Sequence, residues 1–233
     1  MTYALSWSGG KDATLALDRA VREGLDVPIL FNIYEGSSGR VRFHGVRREL
    51  IRAQADALGL ELIQAHTGSD DDFDAVFGRV LDELRDRGVR GVVFGNIHLA
   101  DVRGWYEERT TARGFEHLEP LWGAEPVALA EEFIARGYHA RVVSVNLELG
   151  SADWIGRELD RRLLRALSSA PGIDPGGEHG EYHTFVYDGP LFRRPVPFTG
   201  GESITLEGHR FLDLLPSDPM PSPATPSSDG PSV

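Results

Sequence analysis

Residues 6–17, Ser6-Trp7-Ser8-Gly9-Gly10-Lys11-Asp12-Ala13-Thr14-Leu15-Ala16-Leu17, decide how this chain is read. They follow a short apolar run, Tyr3 to Trp7, and lead into a segment with Ala13, Ala16, Leu17, Ala20 and Val21 on one helical face. Asp18, Arg19, Arg22 and Glu23 fall opposite, so the segment reads as an amphipathic helix behind a buried strand. A strand, a Gly-Gly-Lys turn and a helix make an anion site. N–H groups at the helix start face the ligand, and glycines let it approach closely. The spacing excludes two common versions. The P-loop pattern needs Gly where Leu5 stands, and Ser or Thr where Asp12 follows Lys11. The dinucleotide fingerprint G-x-G-x-x-G does not fit either.

Working outward, Pro28 to Ile33, Leu60 to Ala65 and Gly91 to Gly95 read as further strands. Phe73, Val76, Phe77, Val80, Leu81 and Leu84 mark the clearest amphipathic helix, with Ser69 and Asp72 expected as its cap. The alternation predicts an α/β fold, a parallel sheet with helices on both faces, over residues 1–123. The pattern restarts after Pro120-Leu121-Trp122-Gly123. A helix is expected over Pro126 to Arg136, a strand over Ala140 to Asn146 and a helix over Asp153 to Leu167. Residues 124–215 are thus read as a smaller α+β domain. Residues 216–233 form a Pro/Ser-rich tail whose composition predicts disorder.

Composition narrows the chemistry. The chain of 233 residues carries a formal net charge of −12, which argues against a large nucleic-acid surface. No apolar run approaches the ~20 residues of a membrane span, and a signal peptide is not evident, so a cytoplasmic protein is expected. There is no cysteine, which removes thiolate zinc sites, iron–sulfur ligation and cysteine nucleophiles.

The motif Ser-x-Ser-Gly-Gly-Lys-Asp, Ser6 to Asp12, resembles the pyrophosphate-binding loop of the N-type ATP pyrophosphatases, the PP-loop superfamily. Three further stretches resemble the diphthine–ammonia ligase family within it. They are Arg42 to Leu62 with His44 and Gln54, Val92 to Gly123 with Arg103 and Glu107, and GEHGEYHTFVYDGPLF, Gly177 to Phe192. The resemblance covers nearly all of the chain up to about Pro216. It implies a Rossmann-like first domain and an AMP-forming amidoligase: ATP activates a carboxylate, and ammonia or an amine displaces AMP. ATP and Mg²⁺ are the implied cofactors. The implied partners are a carboxylate substrate and an ammonia-type donor, with neither membrane nor nucleic acid, and a homodimer as the candidate assembly. One departure stands out: Ala13 occupies a position where the family carries Ser or Thr, with Thr14 as a candidate replacement.

On this reading, Ser6, Ser8, Gly9, Gly10, Lys11 and Asp12 hold the phosphates, with Asn32, Ile33, His44 and Gly95 completing the nucleotide site. Asp12 is the candidate for Mg²⁺, and Gly95 is expected to let the nucleotide pass closely. Arg103, Glu107, Glu178, Glu181, Tyr182 and His183 are expected to bind the acyl substrate. Lys11, Asp12, Glu181 and His183 are the expected catalytic groups, with His183 accepting a proton. Glu181 and His183 would share one strand face and Tyr182 the other. Glu178, His179, Glu181 and His183 also suggest a transition-metal site, but no further ligands are identifiable in sequence. The bland reading of that cluster is a set of solvated loop residues. The run Arg47, Arg48, Arg52 reads as a solvated helix face. A competing function is a nucleotide-binding or regulatory protein of the same fold without efficient turnover, motivated by Ala13.

Overall fold

The computed structural model describes residues 1–68 and 73–217. The expected Ser69/Asp72 cap and residues 218–233 of the tail lie outside them. Five short apolar runs become β1 (Thr2–Ser6), β2 (Asp26–Glu35), β3 (Glu61–Thr67), β4 (Gly91–Val93) and β5 (Glu116–Leu118). All pair in parallel in the order β3-β2-β1-β4-β5. The chain therefore winds outward from β1 in one direction and resumes at β4 on its other side. Such a reversal opens a crevice beyond the carboxyl ends of β1 and β4. Helices α1 (Lys11–Arg22) and α2 (Arg48–Leu58) cover one face. Helix α3 (Phe73–Asp86) packs on the other with Trp105 and Tyr106 of α4 (Ala100–Thr111). The class is the Rossmann-like one that the strand–helix alternation predicts.

A second, four-stranded antiparallel sheet follows. It runs β7 (Tyr182–Asp188), β6 (His139–Asn146), β9 (His209–Pro216), β8 (Phe198–Leu206), with helices α5 (Pro126–Ala135) and α6 (Arg161–Ser168). The expected helix over Asp153 to Leu167 is shorter than its periodicity suggests. Gly156 takes φ +74°, a left-handed value that ends the 3-10 turn of Ala152–Trp154. The helix restarts only where Asp160 accepts the Leu163 N–H at 2.7 Å, a side-chain N-cap.

The two sheets share one core. A single buried cluster runs from Leu5, Leu17 and Leu50 through Leu129 and Val142 to Phe185. Helix α1 lies between the sheets, and Asp18, 1% exposed, accepts from Arg136 and from the Tyr138 hydroxyl of the second half. Arg47 is not on a solvated face: it precedes α2 and donates two bonds, 2.9 and 2.7 Å, to Asp213 of β9. Bidentate pairs of this kind fix orientation as well as distance. The loop at the head of α1 is therefore held from both halves.

Candidate active site

Residues Ser8 to Asp12 turn from β1 into α1. Gly9 takes φ +82°, and a Cβ there would stand 2.6 Å from Gln54 Oε1, so both conformation and space demand glycine. The Gly9 carbonyl accepts from Val186 N at 2.9 Å and from Gln54 Nε2 at 3.0 Å. Lys11 N donates to Thr184 Oγ1 at 3.0 Å, and Gly10 N to Ser8 Oγ at 3.3 Å. The first bond of α1 is Thr14 N to Gly10 O, which leaves the Asp12 and Ala13 N–H groups without a partner within the helix. These N–H groups face the position an anion takes at a helix N-terminus. Thr14 does not replace the missing hydroxyl at Ala13. It is fully buried and its Oγ1 donates to Gly10 O at 2.9 Å.

Lys11 is 6% exposed, with Nζ 2.7 Å from Asp12 Oδ2 and 5.5 Å from the Tyr182 ring centre. Burial works against its charge, but Asp12, Tyr182 and Glu178 outweigh burial and raise its pKa. The ammonium is thus a permanent cation whose partner, Asp12, is half-buried at the cavity wall. The chemistry of this pair suits a triphosphate: the ammonium would hold phosphate oxygens and the carboxylate would be left to a hard cation.

Two cavities meet over the loop, sharing Ser6, Ser8, His44 and His183. The smaller, about 330 Å³, contains Lys11, Asp12, Gly95, Glu178 and Tyr182. The larger, about 600 Å³, has Asn32 and Ile33 on one wall and Phe73, Phe77, Trp105 and Tyr106 on another. Asn32 is 3% exposed; its Nδ2 donates to Trp7 O at 2.8 Å, while Oδ1 has no hydrogen-bond partner among the described residues. A buried orphan acceptor beside an aromatic wall fits a flat donor-bearing ring such as a nucleobase. Gly95 lines the smaller cavity, and its packing gives a separate reason for glycine. A Cβ there would lie 2.9–3.0 Å from the Asp12 and Ala13 backbone, so glycine is required for packing against α1.

The segment before β7 also departs from expectation. Glu181 is 1% exposed and precedes the strand, so strand alternation does not reach it. Its two carboxylate oxygens accept from Asp174 N at 2.9 Å and His179 N at 3.0 Å. A carboxylate committed to two backbone donors shapes a loop and does not reach the cavity, which corrects its expected catalytic and substrate-binding roles. Glu178 does line the cavity. Burial first, then Asp12, raises its pKa to about 7, with Lys11 opposing. The His183 ring lies 4.5 Å from that of His44 at a 35° tilt, and burial, His44 and Lys11 together push its pKa well below the ordinary histidine value. It stays a neutral imidazole, a poorer proton sink than expected. His44 is likewise lowered to about 4 by burial, and Lys11 also disfavours its charge. Its Nδ1 lies 3.2 Å from Thr184 O, an acceptor only, so Nδ1 carries the proton. Tyr182 is in the core as expected, its hydroxyl donating to Pro175 O at 2.7 Å.

Arg103 and Glu107 are not brought to the site. Arg103 pairs with Glu107 at 3.4 Å and Glu119 at 3.5 Å and lies over the Trp122 ring, and neither residue lines either cavity. Helix α4 instead turns Asp101, Val102, Trp105 and Tyr106 inward. Sequence reasoning also passed over Gln54 and Thr184 as loop braces. The only signal for them was their presence in the matching stretches.

A family model described as the diphthamide synthase N-terminal domain matches residues 1–116, and one for the corresponding C-terminal domain matches residues 125–211. A zebrafish (Danio rerio) protein named diphthine–ammonia ligase is 26% identical over 230 residues, covering 89% of this chain and 90% of its own. The Bos taurus protein of that name is 26% identical over 264 residues, with 98% of each chain covered. Among solved structures, a U34-tRNA thiolase from Methanococcus maripaludis with its [4Fe-4S] cluster aligns at 18% identity and TM-score 0.39, covering 60% of this chain and 59% of its own. Among the described residues no helix is long and apolar enough to cross a membrane. With both family models matched in order over the two sheets, the chain belongs to the diphthamide synthase family.

Proposed function

We propose that this protein is an ATP-dependent carbon–nitrogen ligase that adenylates a carboxylate and passes the acyl group to ammonia or an amine. The observation that carries the reading is the Gly9–Asp12 turn, where a buried lysine and orphan helix N–H groups face a cavity that also holds Glu178. Two relatives named diphthine–ammonia ligase over most of their length support the ligase class. In this reading a carboxylate oxygen of the substrate attacks the α-phosphorus and the bond to pyrophosphate breaks. The amine nitrogen then attacks the acyl carbon, and AMP leaves. Lys11 and the α1 N–H groups hold the departing pyrophosphate. Asp12 would hold Mg²⁺, which supplies charge neutralisation at the phosphates.

The proton of the incoming amine goes to Glu178 and not to His183. A general base works best with a pKa near the working pH, which burial gives Glu178 and denies His183. Two consequences follow. At a constant concentration of unprotonated amine, AMP formation should rise with pH to a plateau with a midpoint near 7, and Glu178→Gln should abolish that limb and lower the plateau while ATP affinity stays close to wild type. The folded state also holds a proton on Glu178 that the unfolded chain gives up near the ordinary 4.5. This group's stabilisation is therefore present below pH 4.5 and lost as pH rises through about 7. Stability curves for wild type and Glu178→Gln over that window should differ in slope; parallel curves would mean that Glu178 titrates normally.

The overall reading is tested with α-labelled ATP, Mg²⁺, ammonium and a panel of carboxylic acids. AMP and pyrophosphate in equal amounts are expected, and ADP with inorganic phosphate as sole products would defeat it. The competing reading, nucleotide binding without efficient turnover, is favoured by Ala13 together with the commitment of Thr14 to Gly10 O. Tight ATP binding with no AMP under any of these acids would select it.

A further inference from the structure

We infer that the protein carries a divalent transition-metal site formed by His98, Asp174 and His179, separate from the loop that faces the phosphates. His98 lies between β4 and α4, whereas Asp174 and His179 belong to the segment before β7, so the site joins the two sequence halves. One ligand atom from each residue lies within 4.8 Å of the other two. The two imidazoles stand 5.5 Å apart, centre to centre, at 67°. A tetrahedral zinc site with bonds of about 2.0–2.1 Å needs its ligand atoms roughly 3.4 Å apart. Both histidines are exposed, so rotation of their side chains closes the remaining distance without moving the backbone.

The backbone behind the ligands is already fixed. Glu181 holds both residues of the second half: one carboxylate oxygen accepts Asp174 N, the other His179 N. Asp174 is further oriented by Gly176 N on Oδ1 at 2.8 Å and by Glu178 N on Oδ2 at 3.3 Å. Hydrogen-bonded carboxylates of this kind are what aim a metal ligand. Glu181, buried and committed to these two backbone donors, thus has a use as the frame of a ligand pair.

Donor chemistry selects the ion. Two nitrogens and one carboxylate suit Zn²⁺, Ni²⁺ or Co²⁺, whereas Mg²⁺ and Ca²⁺ prefer all-oxygen sets. Three protein ligands leave a coordination position open to solvent. Asn96 and Glu178, near His98 and His179 in sequence, both line the phosphate-side cavity. A bound ion therefore joins the two segments that carry these lining residues.

The test titrates chelator-treated full-length protein with Zn²⁺ and with Co²⁺, in excess Mg²⁺. One equivalent per chain is expected, with Co²⁺ giving the visible absorption of a four- or five-coordinate site containing nitrogen. His98→Ala and His179→Ala should each weaken binding at least about tenfold, and Glu181→Gln, behind the ligands, should weaken it roughly 10- to 100-fold. His98 is exposed, so its variant tests the site with folding intact. No uptake by wild-type protein, uptake unchanged in both histidine variants, or an octahedral all-oxygen cobalt spectrum would each overturn the assignment.

Discussion

Lys11→Ala should bind ATP roughly 10- to 150-fold more weakly than wild type, a loss of about 1.5–3 kcal/mol, and should lose more in turnover than in binding. The affinity term is the charge-assisted contact between ammonium and phosphate. The rate term arises because negative charge on the departing pyrophosphate is greatest in the transition state, where a preorganised cation counts most. The cation here is preorganised in a specific sense. It is buried and is held charged by Asp12, Tyr182 and Glu178 against the effect of burial. Lys11→Met keeps the stem over Tyr182 and removes only the charge, so it separates packing from electrostatics. Equal loss in both variants assigns the effect to charge. ATP titration by calorimetry and AMP release on the same preparations give the two quantities, and unchanged ATP affinity in both variants would remove this loop as the phosphate site.

The second large effect is on stability. Gln54→Leu should destabilise the fold by about 3 kcal/mol, equivalent to roughly 6–12 °C in Tm for a chain of this size. Gln54 is fully buried. Its Oε1 accepts from Trp7 Nε1 at 2.9 Å, and its Nε2 donates to Gly9 O at 3.0 Å and Val186 O at 2.6 Å. Leucine has similar bulk and offers none of these contacts. The Trp7 N–H, itself buried, is left with its desolvation uncompensated. Gly9 O keeps its bond from Val186 N, which limits the damage. Thermal unfolding followed by circular dichroism, with ATP affinity on the folded fraction, measures both results. A Tm within about 2 °C of wild type would show that the three bonds are replaceable.

Local pattern carried much of the fold. The periodicity of residues 13–21 and 73–84 marks α1 and α3, and the apolar runs mark β1 to β4. The strand–turn–helix order at Ser6 to Leu17 fixes where an anion loop must lie. What escaped was short or set by distant contacts. Strand β5 has three half-buried residues, too few for any period to show. Strands β8 and β9 hold mostly exposed or half-buried positions, Gly200 and Gly201 among them, so their pattern does not resemble a buried strand. At the cavities, the order along the chain placed Lys11 and Asp12 after the first strand and Asn32 in the second, and all three line the cavity walls. Glu181 was misjudged because its partners are backbone N–H groups, invisible in a sequence. The proposed mechanism gives Glu178 the proton expected to go to His183, because burial drives a carboxyl up and an imidazole down, and burial is a tertiary property.

The bond from Lys11 N to Thr184 Oγ1 joins residues 173 positions apart. Ribosomes add about 5–20 residues per second, so the α1 end of the loop leaves the tunnel roughly 10–35 seconds before the strand that completes it. Through that interval the first parallel sheet can form from its own residues. The Lys11 amide must then rely on water, while the Gly9 carbonyl keeps only its bond from Gln54. A nascent chain consequently lacks the Thr184 and Val186 braces of this turn until β7 emerges. The turn gains its full set of bonds only when β7 has been made, so its final shape depends on a strand from the second sheet.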